Sequence, residues 1–246
     1  MELKKNTPIV SVVMPAYNSE KYIGEAIESI LNQTFQDFEL IIFSDGCTDH
    51  TVDVIKQYKD DRITLLQSEE NKGIIYGLNH CIEIARGKYI AALDSDDISC
   101  PKRLEKQVEY LETHENVALV GARINIKRGE SIYEHTVLPF RTCNQIRFEL
   151  FFSNGTIAHS SFMMRKKILD QYGVKYEIFK QVQDYHMLTC ISRYGDLACL
   201  KDVLVSYRVH EQQSTNIRSK RMRYDEFDKA RCMYINELPL KETSKV

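Results

Sequence analysis

Residues 88–97 read KYIAALDSDD, an apolar run that ends in three carboxylates within four positions, Asp94, Asp96 and Asp97. In a strand or strand-like turn, Asp94 and Asp96 fall two apart and point the same way. Carboxylates that close repel each other, so one takes up a proton or a cation sits between or beside them. Hard oxygen ligands suit Mg²⁺ or Mn²⁺, which commonly take one or two carboxylates and add substrate phosphate oxygens. On its own the pattern also fits a solvated, helix-capping Asp turn, so placement decides.

The flanking segments supply that placement. IVSVVM (9–14), FELIIFS (38–44), ITLLQ (63–67), the stretch 88–93 and VALVGARINI (117–126) read as strands. Between them lie helical patterns: Tyr22 to Leu31 behind a Ser19 cap, a helix carrying Val52, Ile55 and Tyr58, one over 74–86, and one capped by Ser99 with Leu104, Val108 and Leu111 on its apolar face. Strand–helix alternation with near-continuous apolar strands predicts an α/β fold, a parallel sheet covered on both faces. Ligands bind such sheets outside the carboxyl ends of the strands. Three of those ends carry chemistry: PAYN after the first, SDGCTD at the second and DSDD at the fourth. These loops are expected to converge. The second half is less regular, with a helix near 143–152, a strand at 160–165, a helix over about 182–194 and short strands at 197–200 and 203–209.

Composition excludes several classes. The 246-residue chain has a formal net charge of -2, unlike the basic balance of nucleic-acid binders. Its seven cysteines include no Cys-x-x-Cys pair, so neither a zinc site nor a disulfide framework is indicated. No targeting segment is read, and the longest uncharged stretch, 150–164, falls short of a membrane span. G-x-x-x-x-G-K-[ST], G-x-G-x-x-G and G-x-S-x-G are absent, and HEQQS lacks the second His of H-E-x-x-H.

In order, PAYN, SDGCTD, NKG, DSDD followed by PKRLEKQ, then QDYHM and YRVHEQQS resemble the motif series of family 2 glycosyltransferases over roughly residues 8–215. The resemblance implies the GT-A fold, a Rossmann-like, mostly parallel sheet with helices on both faces, an acceptor-side second half and a C-terminal helix. It implies that Pro15, Ala16 and Tyr17 line the nucleotide pocket, with the Tyr17 ring against uracil. Asp45 would accept from the uracil imide, although Ser44 stands where relatives have a first Asp. Asn71 and Gly73 would approach the nucleotide closely, while Leu78 supplies no charge where many relatives carry an Arg nearby. Asp94 would hold the ribose hydroxyls beside Ser95, Asp96 would bind Mg²⁺ or Mn²⁺, and Asp97 would steady the following helix end or support the site from behind its ligands. Asp184 matches the general base, with Gln183 replacing the usual Glu. His210 would complete the metal shell or touch the diphosphate. Arg208 would neutralise phosphate or pair with a surface acid, and His159 would line the acceptor side or be a satisfied structural histidine.

The implied activity is inverting transfer of a hexose from a UDP-sugar to a hydroxyl of a saccharide or lipid-linked acceptor in bacterial surface polysaccharide assembly. Residues 1–216 would form the transferase domain, 1–126 its nucleotide-sugar half and 127–216 its acceptor and base half. The tail, 217–246, is basic: six cations face three acids over 218–231. It reads as a packed surface helix or as a helix at the inner membrane surface, and the enzyme as cytoplasmic, with or without that contact. A sugar-phosphate nucleotidyltransferase would want a glycine-rich loop where this chain has PAYNSE. An inactive binding module would not need Asp94, Asp96 and Asp184 together.

Overall fold

β1 (Val10–Ala16), β2 (Phe38–Asp45), β3 (Ile63–Ser68) and β4 (Tyr89–Ala92) are joined by α1 (Ile23–Leu31), α2 (Thr51–Gln57) and α3 (Ile74–Ile84). The computed structural model describes residues 7–135, 142–153, 156–177, 179, 181–211, 213 and 220–236. These four strands run parallel in the order β3-β2-β1-β4. The chain steps outward from β1 to β3, then returns through α3 to the other side of β1. The strand order therefore reverses between β1 and β4, which opens a crevice at their C-terminal ends.

Alternation along the strands builds two apolar layers. Val13, Ile41 and Phe43 point to the face covered by α3. Val10, Val12, Met14, Leu40 and Ile42 point to the face covered by α1 and by Ile55 of α2. Each of these side chains, fully buried, contributes about 1.5–3 kcal/mol.

Beyond β4 the sheet becomes mixed. β5 (Ile98–Ser99), α4 (Arg103–Thr113), β6 (Val117–Arg128) and β7 (Ser131–His135) come first. α5 (Cys143–Glu149), a 3-10 turn at His159–Ser161, β8 (Met163–Arg165), α6 (Lys166–Tyr172), α7 (Gln183–Ile191), β9 (Asp196–Arg208) and α8 (Lys220–Asn236) complete the order. β8 pairs antiparallel with β4 and with β6, and β9 runs parallel to β6. The two strands expected at 197–200 and 203–209 are one. Ala122 pairs with Leu200 and Arg123 with Val203, so Lys201 and Asp202 bulge out of a continuous β9. Their exposed charges mimic a turn in the sequence.

Both expected serine caps are diverted. Ser19 offers its carbonyl to Tyr22 and Ile23 of α1, while its hydroxyl lies 2.8 Å from Ser95 Oγ in the acidic turn. Ser99 sits in β5 with its N–H donating to Ser29 Oγ, and α4 starts only at Arg103, behind an uncapped Lys102. The expected strand at 160–165 opens instead with the 3-10 turn.

α8 packs through Ala230 and Tyr234, with Phe227 edge-on to Tyr185 of α7 at 4.9 Å. No described helix is long and apolar enough to cross a membrane. The remainder of the expected tail, 217–219 and 237–246, lies outside the described residues.

Candidate active site

The loops after β1, β2 and β3 are stapled together by short polar side chains. Asn18, at φ +48°, accepts the Thr48 N–H at 2.8 Å. Cys47 Sγ accepts the Asn18 N–H and donates to the Ala16 carbonyl. Asp45 is spent largely on architecture: Oδ1 accepts the Lys72 N–H at 2.7 Å and Oδ2 the Gly73 N–H at 2.8 Å. The SDG turn admits only glycine at 46. Its φ is +64°, and a Cβ there would lie 2.5 Å from the Asn71 nitrogen. With its neighbours so tied, Tyr17 projects 50% exposed beside the crevice.

The crevice is a cleft of ≈ 480 Å³. Pro15, Ala16, Tyr17, Asp45, Asn71, Gly73, Asp94, Ser95, Asp96 and His210 all line it, so the three loops do converge. A shallower hollow of ≈ 720 Å³ lies at the opposite ends of β1 and β4. There Arg86 pairs with Glu39 and Lys166 with Asp170, which leaves ordinary ion-paired surface rather than a reaction site.

The acidic turn follows β4 directly. The Asp97 N–H donates to the Asp94 carbonyl at 3.1 Å and closes it. Asp94 Oδ1 faces His159 Nδ1 at 3.2 Å, and Asp96 Oδ2 faces His210 Nε2 at 2.9 Å. Burial works to raise the Asp94 carboxyl, but the charge and hydrogen bond of His159 hold it below its ordinary value. Asp96 is pushed up by burial and by the Asp94 charge, against the pull of His210. Asp97 is 0% exposed and pushed well up, by burial and then by Asp96 and Asp94. Of its two expected roles the support from behind prevails over the helix end: its Oδ1 accepts the Arg208 N–H at 2.8 Å, tying β9 to the turn.

A divalent cation fits this donor set. Asp96 and His210 offer a hard oxygen and an imidazole, and a cation would relieve the repulsion that raises Asp96. Among the described residues no group of three or more His, Cys, Asp or Glu side chains is assembled around one point. The remaining ligands would come from substrate oxygens.

Beneath the turn lies a polar ladder that the sequence did not announce. Arg103, 0% exposed, donates from Nη2 to the carbonyls of Ala92 and Phe162 and from Nε to Gln107 Oε1. Gln107 in turn donates to the carbonyls of Val120 and Ser161. Among the described residues Arg103 Nη1 and Asp97 Oδ2 are buried with no hydrogen-bond partner. Burial pulls the guanidinium down to about 10, and the Asp97 charge opposes it. Arg103→Lys keeps the charge and loses the fork; thermal denaturation is expected to show about 1–3 kcal/mol lost, roughly 2–12 °C in Tm.

Other expectations resolve less simply. Arg208 turns from the cleft, donating to Glu25 Oε2 at 2.9 Å and to the Asp96 carbonyl at 2.8 Å, so the pairing with an acid prevails. His159 is satisfied at both ring nitrogens, its Nε2 lying 2.9 Å from the Tyr176 hydroxyl. Leu78 is core. Asp184 stands in the first turn of α7, half-buried and outside the cleft lining, with Oδ1 accepting the Tyr185 N–H. Burial raises its carboxyl, and the nearby His159 charge opposes the rise. Tyr22, Tyr207 and Gln213 also line the cleft and were missed. Tyr22 reads as the first residue of a helix face, yet its ring lies 4.5 Å from that of His210. Tyr207, His210 and Gln213 all belong to YRVHEQQS, the motif that could have flagged them.

Residues 11–173 match Glycosyl transferase family 2. An uncharacterized glycosyltransferase of Methanocaldococcus jannaschii is 35% identical over 223 residues, 88% of this chain and 76% of that one. Among solved structures, S. aureus TarS 1-349 in complex with UDP-GlcNAc aligns with a TM-score of 0.78 at 20% identity, covering 95% of this chain and 68% of its own. The mannosyltransferase PcManGT of Pyrobaculum calidifontis, in complex with GDP-Man and Mn2+, aligns at 0.65 with 18% identity, over 85% of this chain and 59% of its own. With its motifs gathered at the C-terminal edge of a sheet of this form, the chain belongs to glycosyl transferase family 2 and is a glycosyltransferase of GT-A fold.

Proposed function

We propose that this enzyme transfers a hexose from a UDP-sugar, with inversion, to a hydroxyl of a saccharide or lipid-linked acceptor in surface polysaccharide assembly. The observation that carries the reading is one cleft lined by an exposed aromatic ring, Tyr17, and by the paired carboxylates Asp94 and Asp96. Tyr17 stacks the base, and Asp45 holds Asn71–Gly73 against it while keeping lone pairs for a base N–H. Asp94, oriented by His159, takes the ribose hydroxyls. Asp96 and His210 hold Mg²⁺ or Mn²⁺, whose charge would neutralise the diphosphate leaving group. The TarS complex with UDP-GlcNAc supports a uridine nucleotide, and the PcManGT complex supports a metal.

In the transfer, the acceptor oxygen bonds to the anomeric carbon as the bond from that carbon to the diphosphate oxygen breaks. The hydroxyl proton passes to the Asp184 carboxylate, and UDP leaves with the bonding pair. One displacement with one base inverts the anomeric centre. Residues 1–126 serve the donor and 127–216 the acceptor and base. The setting is the cytoplasmic side of the membrane, and the basic 217–246 segment is the part that would approach lipid.

Purified protein assayed across UDP- and GDP-sugars, with and without Mn²⁺, tests this reading. Metal-dependent hydrolysis or transfer of a UDP-hexose is expected. Activity confined to GDP-sugars, or undiminished in chelator, would overturn the donor or the metal assignment.

A further inference from the structure

We propose that His159 is a positioning residue that ties the donor half of the site to the base half, one ring nitrogen holding Asp94 and the other holding Tyr176. The inference rests on the base and donor assignments above. It goes beyond them in giving the two halves a shared residue.

His159 is 8% exposed and fixed on every side. Its Nδ1 lies 3.2 Å from Asp94 Oδ1 and its Nε2 2.9 Å from the Tyr176 hydroxyl. Phe162 and Tyr176 meet the ring edge-on at 5.3 and 5.7 Å. The backbone beneath it is equally constrained, because Gln107 holds the Ser161 carbonyl and Ser160 Oγ accepts the Asp94 N–H. Tyr176 is anchored in turn: the Asn79 side chain accepts its N–H at 2.9 Å and donates to its carbonyl at 2.8 Å. A bond chain thus runs from the acidic turn through the imidazole to the phenol.

Four groups set the charge on this ring. Burial and the Arg103 guanidinium favour the neutral form; Asp94 and Asp184 favour the cation and prevail, raising His159 from its ordinary value. The Tyr176 phenol is pushed well up, by burial and by the same two carboxylates, and stays neutral. In its charged state His159 donates from both nitrogens, to Asp94 and to the phenol oxygen. The same charge lowers Asp184, which burial raises. Removing it moves Asp184 further up, so the acid limb of turnover shifts to higher pH.

Two variants separate the roles. His159→Asn keeps an N–H near the Nδ1 position and loses the charge; His159→Phe loses both. The expected result for His159→Phe is a Kd for UDP raised about 10–100-fold, the worth of one hydrogen bond to a charged partner. For His159→Asn it is a Kd for UDP near wild type with the acid limb of kcat displaced upward. Should the Phe variant fail to fold, as judged by thermal denaturation, the pH profile of the Asn variant decides alone. An acid limb unmoved in His159→Asn overturns the coupling. Wild-type protein that binds no UDP, or an Asp184→Asn variant with full turnover, would instead remove the donor or base assignment on which the inference stands.

Discussion

An Asp184→Asn enzyme is expected to bind UDP as the wild type does while its transfer rate falls about 10²–10⁴-fold, the usual worth of a positioned general base. Asparagine fills the same space and can still accept the Tyr185 N–H, but it takes no proton. The native carboxyl is raised by burial, which brings it closer to working pH and makes it a better base than an exposed Asp. The same shift has a cost in stability. A carboxyl whose folded pKa lies above its unfolded one favours the protonated form, so stability falls as pH rises from the unfolded value through the folded one. At neutral pH the charged side chain is therefore a burden, and Asp184→Asn is expected to melt no lower than wild type. Lost turnover with intact UDP affinity and an undiminished Tm excludes misfolding as the cause. Unchanged turnover would eliminate Asp184 as the base.

The donor half was legible because buried parallel strands write themselves as apolar runs, and because ligands gather where such runs end. Val10 to Ala16, Phe38 to Asp45 and Tyr89 to Ala92 follow that rule, and Tyr17, Asp45 and Asp94 lie where it puts them. What the sequence hid were polar residues with tertiary partners. In PKRLEKQ, Arg103 and Gln107 stand four apart beside Leu104, Val108 and Leu111, and both look like a solvated face. Inside the fold they satisfy the carbonyls of Ala92, Phe162, Val120 and Ser161, loose ends created by a meeting of strands that no local window contains. Ser19 and Ser99 fail as caps for the same reason: Ser95 and Gln33, remote in sequence, engage their hydroxyls. Asp45 looked like a ligand for the base, and its two backbone bonds to the following loop depend on a pairing of β2 with β3 that sequence alone does not specify. The base side was the least legible, since Asp184 in the first turn of α7, His159 in a 3-10 turn and Tyr176 in a loop come from separate segments of the less regular second half.

Asp96→Ala should remove the metal-dependent part of UDP affinity and lower turnover about 10²–10³-fold, given that a Lewis acid on a leaving group supplies several kcal/mol. Asp94 has His159 as its counter-charge, whereas Asp96 is pushed up by burial and by its neighbour's charge. Asp96 is thus the carboxylate that gains most from a divalent ion. The same rise also sets a sign for pH. The Asp96 carboxyl, raised by burial and by Asp94, must lose its proton before it can ligate, so Mn²⁺ affinity should weaken as the solution is acidified. Asp97→Asn is the control, because Asp97 points away to the Arg208 N–H and lines no part of the cleft. Its carboxyl is raised by burial and by Asp96 and Asp94, and Asn can still accept the Arg208 N–H, so the variant should melt no lower than wild type and keep metal-dependent UDP binding. Bound Mn²⁺ read by electron paramagnetic resonance, alongside UDP titrations in chelator, distinguishes the two. Tight UDP binding that ignores metal in the wild type, or that survives Asp96→Ala with its metal dependence intact, would refute the metal role of the acidic turn.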